Sequence, residues 1–195
     1  DGGEYSLKYD AIGRPIEITD PEGRTRKAVF DNLGNVTDIF YEDGSEEHFQ
    51  FDFMGNRVFW QDKTGYQRYY SYDALGNVTQ IRDEKGVLVE YSYYPGGKVR
   101  LEKCVNGAEV AYQYDAAGNV IQAKSSTEGT WNLLYDRLGR IVQVERENIG
   151  TECYEYDATG NVTAVTDGAG NRTVYDYSRA GALLRVTDPN GVQTG

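Results

Sequence analysis

The residues with the most obvious chemical potential are carboxylates that recur at fixed places. Asp10, Asp31, Asp52 and Asp73 each follow an aromatic residue, and Asp20, Asp62, Asp83, Asp167 and Asp188 share a second recurring position. Paired carboxylates could serve as acid and nucleophile in glycoside hydrolysis, and clustered ones could hold calcium. Both readings meet the same objection. An active site is one constellation, whereas these residues repeat along the whole chain, as parts of a backbone device do. Calcium-binding β-rolls repeat every nine residues, a period absent here. The other candidate groups are few. His48 stands alone between Glu47 and Phe49, read as a solvent-side histidine near a carboxylate, and no second histidine is available to build a metal site. Cys104 and Cys153 are the two thiols. No catalytic residue, metal ligand or cofactor is assigned.

Aromatic side chains offer a different chemistry. The chain has 17 Tyr, 6 Phe and 2 Trp, far too many for a disordered segment. Stacked rings could bind sugars or quaternary amines, and choline-binding modules also use hairpin repeats of similar length, so a carbohydrate- or choline-type binding module is the alternative function. Such cages favour Trp, and Trp60 and Trp131 occupy unrelated places in the sequence. The competing reading is that tyrosine rows build a sheet face through cross-strand pairs. A net charge of -11 with 20 basic residues argues against a nucleic-acid partner. No apolar stretch approaches the roughly 18 residues of a membrane helix, and Asp1-Gly2-Gly3-Glu4 has no signal-peptide pattern. The expectation is a soluble protein, a piece of a longer chain, without membrane insertion.

These residues are positioned by a repeat. Aromatics stand at Tyr9, Phe30, Phe51, Tyr72, Tyr93, Tyr114, Tyr135, Tyr156 and Tyr177, a spacing of 21 without a slip. Four residues after each comes Gly13, Gly34, Gly55, Gly76, Gly97, Gly118, Gly139, Gly160 or Gly181. Asp follows the aromatic except at Tyr94 and Ser178, and Asn, Arg or Lys follows the glycine except at Ala182. A second turn signal, such as Asp20-Pro21-Glu22-Gly23 or Asp188-Pro189-Asn190-Gly191, completes each unit. Asp or Asn opening a tight turn caps its own backbone, and glycine supplies the positive φ that closes a hairpin. Two turns per 21 residues predict two short strands per repeat.

Between turns the period is 2. Phe49/Phe51, Tyr70/Tyr72, Tyr91/Tyr93, Tyr112/Tyr114, Tyr154/Tyr156 and Tyr175/Tyr177 share one face with Ile16/Ile18, Val58/Trp60, Val142/Val144 and Leu184/Val186. Glu17, Gln80, Gln122, Gln143 and Arg185 point the other way. The fold class is all-β: a repeated antiparallel β-hairpin meander of about 18 strands in a curled or spiralling sheet, with no helix.

The motif Tyr-Asp-Ala-x-Gly-Asn-Val at Tyr72 to Val78, Tyr114 to Val120 and Tyr156 to Val162 closely resembles the YD repeat of Rhs-type proteins. That family includes polymorphic toxins, the shells of insecticidal toxin complexes, wall-associated proteins and teneurins. The resemblance covers about residues 5 to 192 and implies a spiralling shell that, in the toxins, encloses a C-terminal effector. It implies a structural, non-enzymatic module over residues 1–195, with nine repeats in a secreted or cell-surface protein, that contributes to encasing or presenting a C-terminal effector or to adhesion. Its partners would be neighbouring repeats of the parent chain and, in the full-length protein, an enclosed effector domain. No family-type core region or effector follows the repeats here, so self-cleavage and toxicity are not carried over.

Five further expectations follow. A strip of about 18 strands closing on itself would span only about 27 Å, too small for a folded cargo. Cys104 and Cys153 lie about four strands apart and should be free thiols. In repeat five, Arg100 and Glu102 fall on the apolar face, so the strand is expected to slip by a bulge or flip within residues 94 to 101. The late glycines Gly129 and Gly150 call for a local bulge. Finally, edge strands near residues 5 to 10 and 183 to 187 are expected to mediate self-association.

Overall fold

A computed structural model describes residues 4–195; residues 1–3, with which the sequence-predicted module begins, lie outside the described part. The described chain contains strands and turns and no helix. It divides into two compact units, Asp1–Lys98 and Val99–Gly195. The first unit holds β1 (Ser6–Tyr9), β2 (Pro15–Thr19), β3 (Thr25–Phe30), β4 (Val36–Tyr41), β5 (Glu46–Phe51), β6 (Arg57–Gln61), β7 (Gln67–Tyr72), β8 (Val78–Asp83) and β9 (Gly86–Tyr93). The second holds β10 (Val99–Cys104), β11 (Glu109–Tyr114), β12 (Val120–Ser125), β13 (Gly129–Tyr135), β14 (Ile141–Arg146), β15 (Gly150–Tyr156), β16 (Val162–Thr166), β17 (Arg172–Tyr177), β18 (Leu183–Thr187) and the two-residue β19 (Gln193–Thr194). The count is 19 rather than about 18 because of β19. The terminal strand of the second unit is therefore β19, not the segment 183 to 187, since β18 pairs with both β17 and β19.

Within each unit every strand pairs antiparallel with its sequence neighbours, as short turns dictate. Alternation sorts the side chains as period 2 requires. In the first unit Ala28 pairs with Ile39, Phe49 with Trp60 and Tyr70 with Ile81 on one face. On the other, Lys8 pairs with Glu17 and Asp38 with His48. In the second unit Leu133 pairs with Val144 and Tyr154 with Val165 on the aromatic face.

Neither face is sealed. Among the described residues only Val144, Ala164 and Asp83 are buried, and no large side chain is fully enclosed. The units are single layers of sheet, with both faces half in water. Ala164, the most deeply buried residue, lies on the face expected to be wet, opposite Glu155 and Val174 in the ladder and beside the Arg172–Glu155 ion pair.

This openness explains why repeat five departs from expectation. Leu101 pairs with Ala111 and Glu102 with Val110, the register that Gln122–Asn132 and Ala123–Trp131 repeat 21 residues later, so β10 has not slipped. The turn 94–98 closes as the others do, through Tyr94 N–H to Lys98 O (2.8 Å) and Gly97 N–H to Tyr94 O (3.0 Å). Arg100 stays exposed and Glu102 half-buried. A charge on an unsealed face keeps its water, and the penalty that would force a slip does not arise. The late glycines are likewise absorbed without a ladder bulge. Ser125 pairs with Gly129 and Arg146 with Gly150, so the glycine joins the strand and β13 and β15 each run to seven residues. Asn148 takes a φ of 62° inside the second of these turns. Both cysteines are free.

Gly97 combines a φ of +84° with a neighbour that leaves little space: an added Cβ would lie 3.2 Å from Asn77 Oδ1 of the preceding repeat. Gly97→Ala should therefore lower stability by roughly 1–2 kcal/mol through the left-handed backbone alone. Chemical denaturation of the two proteins side by side measures it; an unchanged midpoint would show that the turn relaxes freely.

Candidate functional site

The residues singled out by the repeat converge on one structural constellation per hairpin. Tyr9, Phe30, Phe51, Tyr72, Tyr93, Tyr114, Tyr135, Tyr156 and Tyr177 are the last residues of β1, β3, β5, β7, β9, β11, β13, β15 and β17. At Tyr9, Phe30, Phe51, Tyr72, Tyr114, Tyr135, Tyr156 and Tyr177 the ladder register shifts immediately before the aromatic. This bulge tilts the ring at the strand end. All nine following glycines have φ between 79° and 99°.

The turn itself is closed twice. In the Asp73 copy, Asp73 N–H donates to Asn77 O (2.9 Å) and Gly76 N–H to Asp73 O (3.1 Å). The carboxylate then fastens the loop from the side. Oδ1 accepts the amides of Leu75 and Asn77, and Oδ2 accepts Asn77 Nδ2, all at 2.9 Å. Asp31, Asp52 and Asp157 bind their own turns in the same way. The second recurring carboxylates do the same work. Asp62 Oδ1 accepts from Thr64 and Tyr66 N–H, Asp167 Oδ1 from Ala169 and Asn171, and Asp188 Oδ1 from Asn190 and Val192. The buried Asp83 also receives the Tyr66 hydroxyl. Among the described residues no three His, Cys, Asp or Glu side chains cluster as a metal site. The hydrogen bonds each carboxylate accepts support the turn reading over catalysis or calcium.

Donation to the charged form lowers a carboxyl pKa. Asp73 and Asp52 are held below the usual carboxylate range, in each case first by the amide side chain of the Asn four residues on. Asp157 is held at about 2, chiefly by the side chains of Asn161 and Thr159.

Three features were not read from the sequence. First, a tyrosine hydroxyl at the strand end donates to a carbonyl 15 residues earlier: Tyr72 to Arg57 O (2.8 Å), Tyr93 to Val78 O, Tyr114 to Val99 O (2.9 Å), Tyr135 to Val120 O (2.9 Å) and Tyr156 to Ile141 O (2.7 Å). Each bond ties one hairpin to the preceding one. The available signal was Tyr rather than Phe at these positions. Beside Phe51, which lacks the hydroxyl, lies an open hollow of about 330 Å³ lined by Val36, Ile39, Phe49, Phe51, Arg57 and Tyr72. Second, where Arg replaces Asn after the glycine, it reaches the next repeat. Arg14 Nε binds Asp10, Nη1 donates to Asp31 O (2.9 Å), and the guanidinium lies 4.8 Å from the Phe30 ring centre. Arg140 repeats this with Asp136, Asp157 O (3.0 Å) and Tyr156.

Third, ring faces are occupied by the chain's own cations. Arg68 lies over Trp60 and Tyr66, Arg146 over Trp131, Arg82 over Tyr69, and Lys63 Nζ sits 3.1 Å from the centre of Tyr41. The Tyr41 hydroxyl donates to Glu47 (2.7 Å), and burial together with that carboxylate pushes the phenol up to about 12. His48 bridges Asp38 (2.7 Å) and Glu46 (3.1 Å), not Glu47, and these bonds, Asp38 first, raise its pKa.

Comparison with known proteins comes down to one family. A family model described as the teneurin YD-shell matches residues 70–194, more than half of the chain. Comparison with curated proteins gives no match. Among solved structures the chain is similar to TcdB2-TccC3-Cdc42, at a TM-score of 0.79 and 13% identity over 94% of this chain and 12% of that one. It is similar to TcdB2-TccC3 at 0.79 and 13% identity, over 96% and 13%. It also matches a Photorhabdus luminescens Tc holotoxin pore at 0.71 and 14% identity, over 100% and 15%. At such identities the likeness is one of fold, and this chain spans about an eighth of the length of the first two chains.

Two outcomes test the constellation. Tyr135→Phe should cost about 0.5–1.5 kcal/mol for the lost bond to Val120 O, and Phe51→Tyr, which can reach the Val36 carbonyl across the hollow, should stabilise by up to about 1 kcal/mol. Equal denaturation midpoints for all three proteins would mean the hydroxyls are idle. The depressed carboxyls make stability complete above pH about 4 and drain it as pH falls toward about 2, through the folded-state pKa of groups such as Asp157. Asp157→Asn should flatten part of that acid limb in a thermal-melt series.

Proposed function

The chain belongs to the teneurin YD-shell family, and from that premise we propose that it is a stretch of shell wall in a secreted or cell-surface protein, a non-catalytic sheet that helps encase or present another domain. The observation that carries this reading is the single layer. A globular β-domain buries one face of each sheet against another, whereas here both faces of each unit remain half open and only three described residues are buried. Such a sheet suits a boundary between an interior lined with rings and an exterior of ion pairs such as Lys8–Glu17 and Arg185–Asp176. The 21-residue register runs through the division at 98/99, which supports reading all nine repeats as one module. Its nearest partners are then the neighbouring repeats of a longer chain, with an enclosed effector in toxin-type members.

The choline or carbohydrate reading gains no support from the rings. A hollow of about 360 Å³ beside Tyr41 is already entered by Lys63, and both tryptophans carry a guanidinium. A quaternary amine would have to displace cations the chain supplies itself.

The two thiols provide a test. Cys104 follows Glu102 on the aromatic face, and Cys153 pairs with Gln143 on the opposite face. In the assembled full-length shell, a small maleimide should modify both, while a bulky polymer-linked maleimide should reach only one. Equal reaction of both with the bulky reagent, or of neither, contradicts a wall with an inside and an outside. Choline and a glycan array should give no saturable change in Trp fluorescence.

A further inference from the structure

The two rims of the first unit carry opposite side chains, although the turns at Asp10, Asp31, Asp52 and Asp73 on one and at Asp20, Tyr41 and Asp62 on the other close through the same pair of backbone bonds. On one rim the tips are Ala11-Ile12, Asn32-Leu33, Phe53-Met54 and Ala74-Leu75; on the other they are Pro21-Glu22, Glu42-Asp43, Lys63-Thr64 and Glu84-Lys85. The backbone cannot be the cause. Ile12 N–H donates to Asp10 Oδ1 at 3.0 Å and Glu22 N–H to Asp20 Oδ1 at 3.1 Å, the same arrangement with an apolar and a charged tip. Nor does packing within the chain explain it. Ile12 is 76% exposed, Leu33 71%, Phe53 89%, Met54 59% and Leu75 77%. The second unit shows no such row: its corresponding tips are Ala117, Leu138, Thr159 and Ala180.

The tips form a row rather than scattered points. Every second turn of a meander lies on the same rim, so tips recur about 9.6 Å apart. Adjacent turns stack closely: an added Cβ on Gly76 would lie 3.6 Å from Asn56 Oδ1, and one on Gly97 3.2 Å from Asn77 Oδ1. The carboxylates nearby are engaged by the turns themselves, since Asp31, Asp52 and Asp73 spend both oxygens on hydrogen bonds within their own turns and Asp10 pairs with Arg14 at 2.6 Å.

We propose that this apolar rim docks the same rim of a second copy of the chain. A row with one constant spacing is complementary to itself when reversed by a two-fold axis, which brings Ile12 against Leu75 and Leu33 against Met54. The five side chains present on the order of 650 Å² of apolar surface per chain, so a contact that covers them removes up to about 1,300 Å² in total, at the lower end of specific interfaces. The evenly spaced tips fit an equally spaced rim. At the fifth turn Gly96 stands where Ile12, Leu33, Met54 and Leu75 stand, and it offers no side chain to continue the row.

The experiment is sedimentation of the 195-residue chain across the micromolar range at moderate salt. The wild type should shift from monomer to dimer. The triple variant Leu33→Ser, Met54→Ser, Leu75→Ser should lose at least about a hundredfold in affinity, while its circular dichroism and melting stay nearly unchanged, because the three side chains are mostly exposed. Glu84→Ser on the charged rim should dimerise like the wild type. A wild type that stays monomeric at the highest concentration overturns the proposal. So does a triple variant that still dimerises, which would assign association to the strand edges at β1 or β19. The result is independent of whether the chain is a shell wall.

Discussion

A sheet without a second layer has no enclosed core to hold it, and every other feature of this chain follows from that constraint. Burial ordinarily supplies most of the driving force for a domain of this size. Here apolar side chains gain only half of that, from their neighbours along and across the strands. The remainder has to come from interactions that a single layer can make within itself. These are the ladder, the turns, and contacts between one hairpin and the next. The fastened turn is the most frequent of them. A carboxylate that accepts two amides and one side-chain donor orders a five-residue loop that solvent would otherwise compete for.

Coupling between hairpins is the second requirement, because a repeat that contacts only its neighbours is stable only in proportion to those contacts. Three devices provide it: tyrosine hydroxyls reaching back 15 residues, arginines reaching forward to the next turn's carbonyl, and cations laid over rings of the neighbouring hairpin, as Arg57 over Tyr70 and Arg68 over Trp60. They substitute for one another. Phe30 has no hydroxyl to give, and Arg14 both stacks on it and bonds to Asp31 O. At Tyr156 hydroxyl and arginine act together. The same redundancy appears in the turns. Tyr94 replaces the aspartate and the loop still closes through Tyr94 N–H to Lys98 O and Gly97 N–H to Tyr94 O, while Ser178 Oγ accepts from Ala180 and Ala182 in the carboxylate's place.

The sequence made legible what depends on local chemistry. Strand ends, turn positions, the two-residue alternation and the turn-binding role of Asp62 or Asp188 all followed from residue type and spacing, because each is decided within a few residues. What escaped depends on how much water a face retains. Arg100 and Glu102 were expected to force a slip because their face was taken to be sealed; it is not, so the regular register holds. The glycine delay at Gly129 was expected to distort the ladder, yet the turn absorbed it, since an open loop has room to do so. Ala164 ended buried on the polar face because long side chains beside it cover a small one. Phe59 against Tyr69, at 5.2 Å with Arg82 over the second ring, is an aromatic cluster on that same polar face that alternation alone assigns to water.

The openness that limits stability also frees the two faces and the two rims to differ. In a two-layer domain the inner face must be apolar and its composition is constrained by packing. In a single layer neither face answers to a core, so rings, ion pairs and tips can vary from repeat to repeat as long as the ladder and the turns persist. The first unit uses this freedom on its rims, charged at Pro21-Glu22 and Glu42-Asp43, apolar at Leu33 and Leu75, with the same backbone bonds beneath. Variation that the fold does not require is the place where contacts with other surfaces can be written, and in this chain it is concentrated at turn tips and ring faces rather than in the aspartates and glycines that recur.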